Sequence, residues 1–137
     1  MNRFLLSVCA AVLALLAPAG RARAQGYVVV VNAAGPAALS KAEVSNIFLK
    51  KSAKLAPVDL DKSSKVRDAF SKGVHGRPTA AVGTYWQQQI FAGKDVPPPE
   101  KSSDADVLAF VKGNPNAIGY VAAGTDLGAG VKTVTVQ

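Results

Sequence analysis

Apolar residues along the chain fall into one long run near the start and a series of shorter periodic segments after it. Phe4 to Ala17 is almost wholly apolar, with Ser7 its only hydroxyl. Tyr27-Val28-Val29-Val30-Val31-Asn32 contains a continuous β-branched run of four valines. A strand that is apolar on both faces suits a central parallel position. Ala33 to Ala38, with Gly35 and Pro36, reads as the loop that follows. Ser40 and Glu43 then form a capping box: the Ser hydroxyl takes the amide three residues on, and the Glu reaches back. The helix they open carries Val44, Ile47 and Phe48 on one stripe. Lys50, Lys51 and Lys54 mark its solvated end.

Ala56 to Leu60 predicts a short strand. A second helix opens at Ser63 or Ser64 and aligns Val66, Ala69, Phe70 and Val74, with Gly73 and Gly76 as its stop signals. Pro78 predicts the first position of a third helix. Its apolar stripe is Val82, Tyr85, Trp86, Ile90 and Phe91, with Gln87, Gln88 and Gln89 largely outside. Gly93 ends it, and Pro97-Pro98-Pro99 forms a stiff connector. Ser103 caps a fourth helix with Val107, Leu108 and Val111 inward. Asn114-Pro115-Asn116 is a turn, Ala117 to Val121 a strand, and Val131 to Val136 a last one. Strands alternating with helical segments of this length predict an α/β sheet covered by helices. Ligands of such sheets sit at strand C-terminal ends and helix N-termini.

The long apolar run changes how the rest is counted. Arg3 precedes it, Pro18 and Gly20 break it, and Ala22-Arg23-Ala24 supplies small residues before a cut after Ala24. This is the pattern of a secretory signal peptide over residues 1–24. At 14 residues the run is shorter than the ~20 of a spanning helix. Cleavage leaves residues 25–137 as a single domain, large enough for one core without staples. It removes three of 16 basic residues and none of the nine acidic ones, taking the formal charge from +7 to +4. Cys9 goes too, so the processed chain has no disulfide in its oxidising destination. With no second apolar span, the expectation is a protein with no membrane span after cleavage, periplasmic or secreted.

Charge and composition narrow the chemistry. The basic residues are scattered from Lys41 to Lys132 without interleaved aromatics, which argues against nucleic acid. One His and one Cys exclude multi-His or Cys-rich metal sites, and no cofactor motif is present. His75, the only base of its type, sits between Gly73 and Gly76 and reads as a surface loop residue. Asp59 and Asp61 alternate at a strand end; they are either an acid–base or metal pair or a solvated strand end beside Lys62 and Lys65. No catalytic constellation emerges, and no enzyme is expected.

The segment from Asp61 to Arg67 is more informative. Ser63, Ser64 and free amides converge at a helix start, whose dipole favours an anion. Lys62, Lys65 and Arg67 add positive charge, and Arg can grip an oxyanion with two parallel bonds. The segment is either a plain cap or a cap that also binds a small anion.

Four segments together resemble the phosphate-type periplasmic solute-binding proteins. Leu39-Ser40-Lys41-Ala42-Glu43-Val44-Ser45-Asn46-Ile47-Phe48-Leu49-Lys50-Lys51 is similar to their Leu-Ser to Ile-Phe-Leu-Gly-Lys segment. Ser64-Lys65-Val66-Arg67-Asp68-Ala69-Phe70 is similar to their phosphate-loop helix, Ser-Gly-Thr-Arg-x-x-Phe. Tyr85-Trp86 to Phe91-Ala92-Gly93 resembles the next helix, and Asn116-Ala117-Ile118-Gly119-Tyr120-Val121 their Gly-Ala-Ile-Gly-Tyr-Val strand. The resemblance implies one lobe of a type 2 periplasmic-binding fold: an α/β domain whose central, mostly parallel sheet is flanked by about four helices. It implies a small phosphate-like oxyanion held at Ser63, Ser64, Lys65, Arg67 and Asp61, for an ABC-type transport system. The alternative it leaves open is an envelope interaction or sensor-associated module that kept the lobe and lost the ligand. Implied partners are an envelope membrane protein or a second lobe supplied in trans. Lys65-Val66 stands where the family has Gly-Thr, and Lys50 where it has Gly. A Cβ replaces the close backbone approach and a hydroxyl donor is lost, which weighs against high affinity.

Overall fold

A computed structural model describes residues 25–137. The signal-peptide expectation for residues 1–24 lies outside the described residues. In chain order the first elements are β1 (Tyr27–Asn32), β2 (Ala38–Leu39), α1 (Lys41–Phe48), β3 (Ala56–Pro57) and β4 (Asp59–Leu60). Then come α2 (Lys65–Phe70), a π-helical turn (Ser71–His75), α3 (Thr79–Phe91) and β5 (Glu100–Lys101). α4 (Asp104–Gly113), β6 (Ala117–Ala122), β7 (Val131–Thr133) and β8 (Thr135–Val136) complete the chain.

The main sheet has the order β3-β6-β1-β7, and two small pairs, β2-β8 and β4-β5, lie beside it. The α/β architecture, with four α-helices among the described residues, is the expected one. The direction of the central strand is not: β1 runs antiparallel to both β6 and β7, and only β3 joins β6 in parallel. The sheet is therefore mixed rather than mostly parallel. The β-branched run of β1 reflects burial on both faces, and helices cover both faces whatever the strand direction.

Alternation along β6 shows how the two faces are filled. Tyr120 lies on one face, stacked on Phe70 with ring centroids 3.9 Å apart, and Phe48 closes the cluster. Gly119 lies on the other, against α4. A Cβ there would stand 2.7 Å from Val107 Cγ1 and 3.0 Å from Val58 Cγ1. Only a residue without a side chain lets α4 approach the sheet this closely.

Local signals fare well at helix starts. Ser40 and Glu43 form the capping box, Ser64 is the cap of α2, and Ser103 caps α4. Pro78 is the N-cap of α3 rather than its first residue, and has no side-chain acceptor to offer. The Asp68 carboxylate supplies it instead, accepting from the Thr79 amide at 3.1 Å and hydroxyl at 3.2 Å.

Other boundaries differ from the expected ones. The segment 56–60 is two strands, because at Val58 the chain leaves the main sheet and Asp59 begins pairing with Glu100. The last strand divides in the same way at Val134. Gly73 does not stop its helix; it lies within the π-helical turn, where a Cβ would meet the Tyr27 hydroxyl at 2.5 Å. Gly76, with φ of 67°, is the stop. Val82 and Trp86 are buried, but Ile90 is 52% exposed and Phe91 96% exposed. No helix among the described residues is long and apolar enough to cross a membrane.

Candidate functional site

The turn from β4 into α2 is ordered by its own side chains. Asp61 Oδ1 accepts from the Ser63 amide at 2.9 Å and its hydroxyl at 2.7 Å. These bonds hold the Asp61 carboxyl below the usual range. Ser64 Oγ accepts from the Arg67 amide at 3.2 Å, so its hydroxyl oxygen serves as the cap. Lys62 and Lys65 are exposed.

Arg67 turns inward. Its Nη1 donates to the Leu60 carbonyl at 2.9 Å and to Glu100 Oε1 at 2.8 Å. Its Nε lies 3.8 Å from Asp59 Oδ1. Tyr120 donates its hydroxyl hydrogen to Asp59, and the Leu60 amide donates back to that hydroxyl at 3.1 Å. Burial raises the Asp59 carboxyl above its ordinary value, against the pull of Arg67 and Tyr120. Burial and the neighbouring Asp59 likewise push the Tyr120 phenol upward. A lone buried guanidinium would be costly, and the two carboxylates compensate it.

Arg67 Nη2 makes no hydrogen bond to the protein, and no buried side-chain polar atom among the described residues lacks a partner. Nη2 is therefore not completely buried. Arg67 also borders an open cavity of about 470 Å³ whose polar wall includes Lys62, Thr79, Thr84 and Gln87. The structure thus brings Arg67 and Lys62 to one wall. Ser63, Ser64, Lys65 and Asp61 lie on the adjoining turn but do not line the cavity. Glu100, Tyr120, Thr79 and Thr84 were not legible as part of this arrangement. Glu100 meets Arg67 across 33 positions and Tyr120 meets Asp59 across 61, separations that leave no local pattern. The chain's one His, expected on a surface loop, is half-buried; Ser45 Oγ lies 2.7 Å from its Nδ1.

Comparison with known structures bears on the architecture that carries these groups. The fold matches part of the fold of solved phosphate-binding transport proteins. A protein from Clostridium perfringens, assigned as a phosphate ABC transporter substrate-binding protein and solved with bound phosphate, superposes with a TM-score of 0.61 at 21% identity. It covers 81% of this chain and 44% of its own length. An ABC-type phosphate transport receptor from Vibrio cholerae gives a TM-score of 0.59 at 20% identity, covering 81% of this chain and 46% of that one. PstS from Borrelia burgdorferi gives 0.61 at 13% identity, covering 82% and 47%. The present chain thus spans less than half the length of these structures. No protein-family model matches the sequence, and no curated protein does.

Proposed function

We propose that residues 25–137 form an exported solute-binding-like domain. It takes phosphate or another small oxyanion beside the start of α2, in service of an ABC-type transport system. The observation that carries the reading is that Arg67 and Lys62 line one cavity, on a fold shared with part of a protein solved with phosphate. An oxyanion there would meet the Arg67 guanidinium and the Lys62 ammonium, beside Thr79 and Thr84, whose hydroxyls already donate to Asp68 and to the Ala80 carbonyl. Ser63, Ser64, Lys65 and Asp61 shape the turn from which these groups project. Because Arg67 already answers two carboxylates and the cavity is open, the affinity is expected to be modest and salt-sensitive. The working location is the periplasm or the exterior. The permease, or a second lobe in trans, would close the open side.

Calorimetry with phosphate and sulfate on the purified protein tests this reading. Saturable heat that is lost in Lys62→Ala and weakened in Arg67→Lys is the expected result. No heat at millimolar ligand, with both variants folded, overturns it.

A further inference from the structure

A second cavity, about 140 Å³, lies between the C-terminal end of α1 and the residues after the π-helical turn. It shares no lining residue with the cavity beside Arg67. Its polar wall is Ser45, Asn46, Lys51, His75, Arg77 and Tyr85. Lys51 and Arg77 are both exposed, and neither takes part in an ion pair among the described residues. Lys51 Nζ lies 5.8 Å from the centre of the Tyr85 ring.

His75 is fixed between them. Its Nδ1 shares a hydrogen bond with Ser45 Oγ, and its ring stands edge-on to Phe70 at 5.6 Å. Nε2 has no protein partner and, since no buried side-chain polar atom among the described residues lacks one, it is accessible. In the tautomer in which Ser45 donates to Nδ1, Nε2 carries the proton and is a free donor.

A helix C-terminus ordinarily repels anions. Here its carbonyls are already engaged. Ser45 and Ile47 accept from the Leu49 and Lys50 amides, and Asn46 accepts from Lys51 and Ser52. The Leu49 carbonyl accepts from the Tyr85 hydroxyl at 3.1 Å. What remains on the cavity wall besides the engaged Ser45 and Tyr85 hydroxyls is the unpartnered Nε2 of His75, the Asn46 side chain and two unpaired cations. The volume is well below the roughly 300–1,000 Å³ of sites for organic ligands, and matches a small ion.

We propose that this cavity binds a tetrahedral oxyanion of the phosphate or sulfate class, held by Lys51, Arg77 and the Nε2–H of His75. The site is separate from the one beside Arg67 and does not depend on that reading. Burial, with Arg77, Arg67 and Lys51 around it, lowers the His75 pKa to about 4. A bound anion reverses the sign of the local field and raises it.

His75 is the only histidine, so its ring resonances are assigned without ambiguity, and the variants below separate this cavity from the one beside Arg67. The purified protein is titrated with sulfate and with phosphate near neutral pH, at ionic strength held constant with sodium chloride. The expected result is a saturable shift of the ring signals and a rise of at least one unit in the His75 pKa. The exposed pair Lys51→Ala and Arg77→Ala, combined in one variant shown to be folded, weakens the apparent affinity at least tenfold. Lys62→Ala, which alters the other cavity, keeps the response. A shift that is linear, that chloride reproduces, that survives the double variant, or that disappears with Lys62→Ala overturns the proposal.

Discussion

Tyr120 donates its phenolic hydrogen to Asp59, 61 positions away in the chain. The same oxygen accepts the Leu60 amide, so one hydroxyl satisfies a buried carboxylate and a buried N–H together. Tyr120→Phe keeps the ring stacked on Phe70 and strands both groups. Leaving two buried polar groups unpaired costs about 2–4 kcal/mol. Urea denaturation should show that loss with an unchanged native fold.

Arg67 holds the charge balance of the same cluster. Arg67→Met leaves Asp59 facing Glu100 without a cation. Removing one partner of a buried ion pair costs about 3–5 kcal/mol. Adding Asp59→Asn to that variant should recover part of the stability. A double-mutant cycle on denaturation midpoints measures the coupling, and strict additivity would contradict the geometry.

His75 makes stability depend on pH with a definite sign. Its pKa is lowered to about 4 by burial and neighbouring cations, against an ordinary value near 6.5. The unfolded chain therefore binds the extra proton first as pH falls. The contribution of neutral His75 is complete above pH 6.5 and is lost progressively toward pH 4. It amounts to about 2 kcal/mol once partial exposure is allowed for. The carboxylates titrate over part of the same range, so the quantity to measure is the difference between wild type and His75→Asn. That difference should shrink as pH drops across this window.

Gly119 fixes the distance between α4 and the sheet. Gly119→Ala pushes a methyl into Val107 and Val58, and overpacking of this kind costs about 1–3 kcal/mol. Thermal unfolding of the variant, alone and combined with Val107→Ala, should show the second substitution relieving the first.

These dependencies separate what local sequence discloses from what it conceals. The caps at Ser40 and Ser103 are read from local sequence and are present, and of the two candidates Ser63 and Ser64 it is Ser64 that caps α2. The burial of β1 is equally legible, since four consecutive valines need cover on both sides. Its direction is not, because an antiparallel partner and a parallel one demand the same side chains. At Val58 no residue signals the change of sheet; the register with Glu100 decides it. Arg67 stood out as a candidate ligand because of its helix-start position. Its inward turn follows from carboxylates that only the folded chain brings near. Ile90 and Phe91 continue the helical periodicity of α3, yet they extend past the protein surface.

Helix α3 carries Thr79, Thr84 and Gln87, one whole wall of the cavity beside Arg67. Its buried residues Val82 and Trp86 do not belong to the cluster that unites the sheet with α1, α2 and α4. Such a segment opens at a smaller free energy than the globule that supports it. Amide hydrogens of 82–91 should therefore exchange with solvent deuterium sooner than those of β6, and an occupied cavity should slow them. The binding wall and the pliable part of the protein are then the same element.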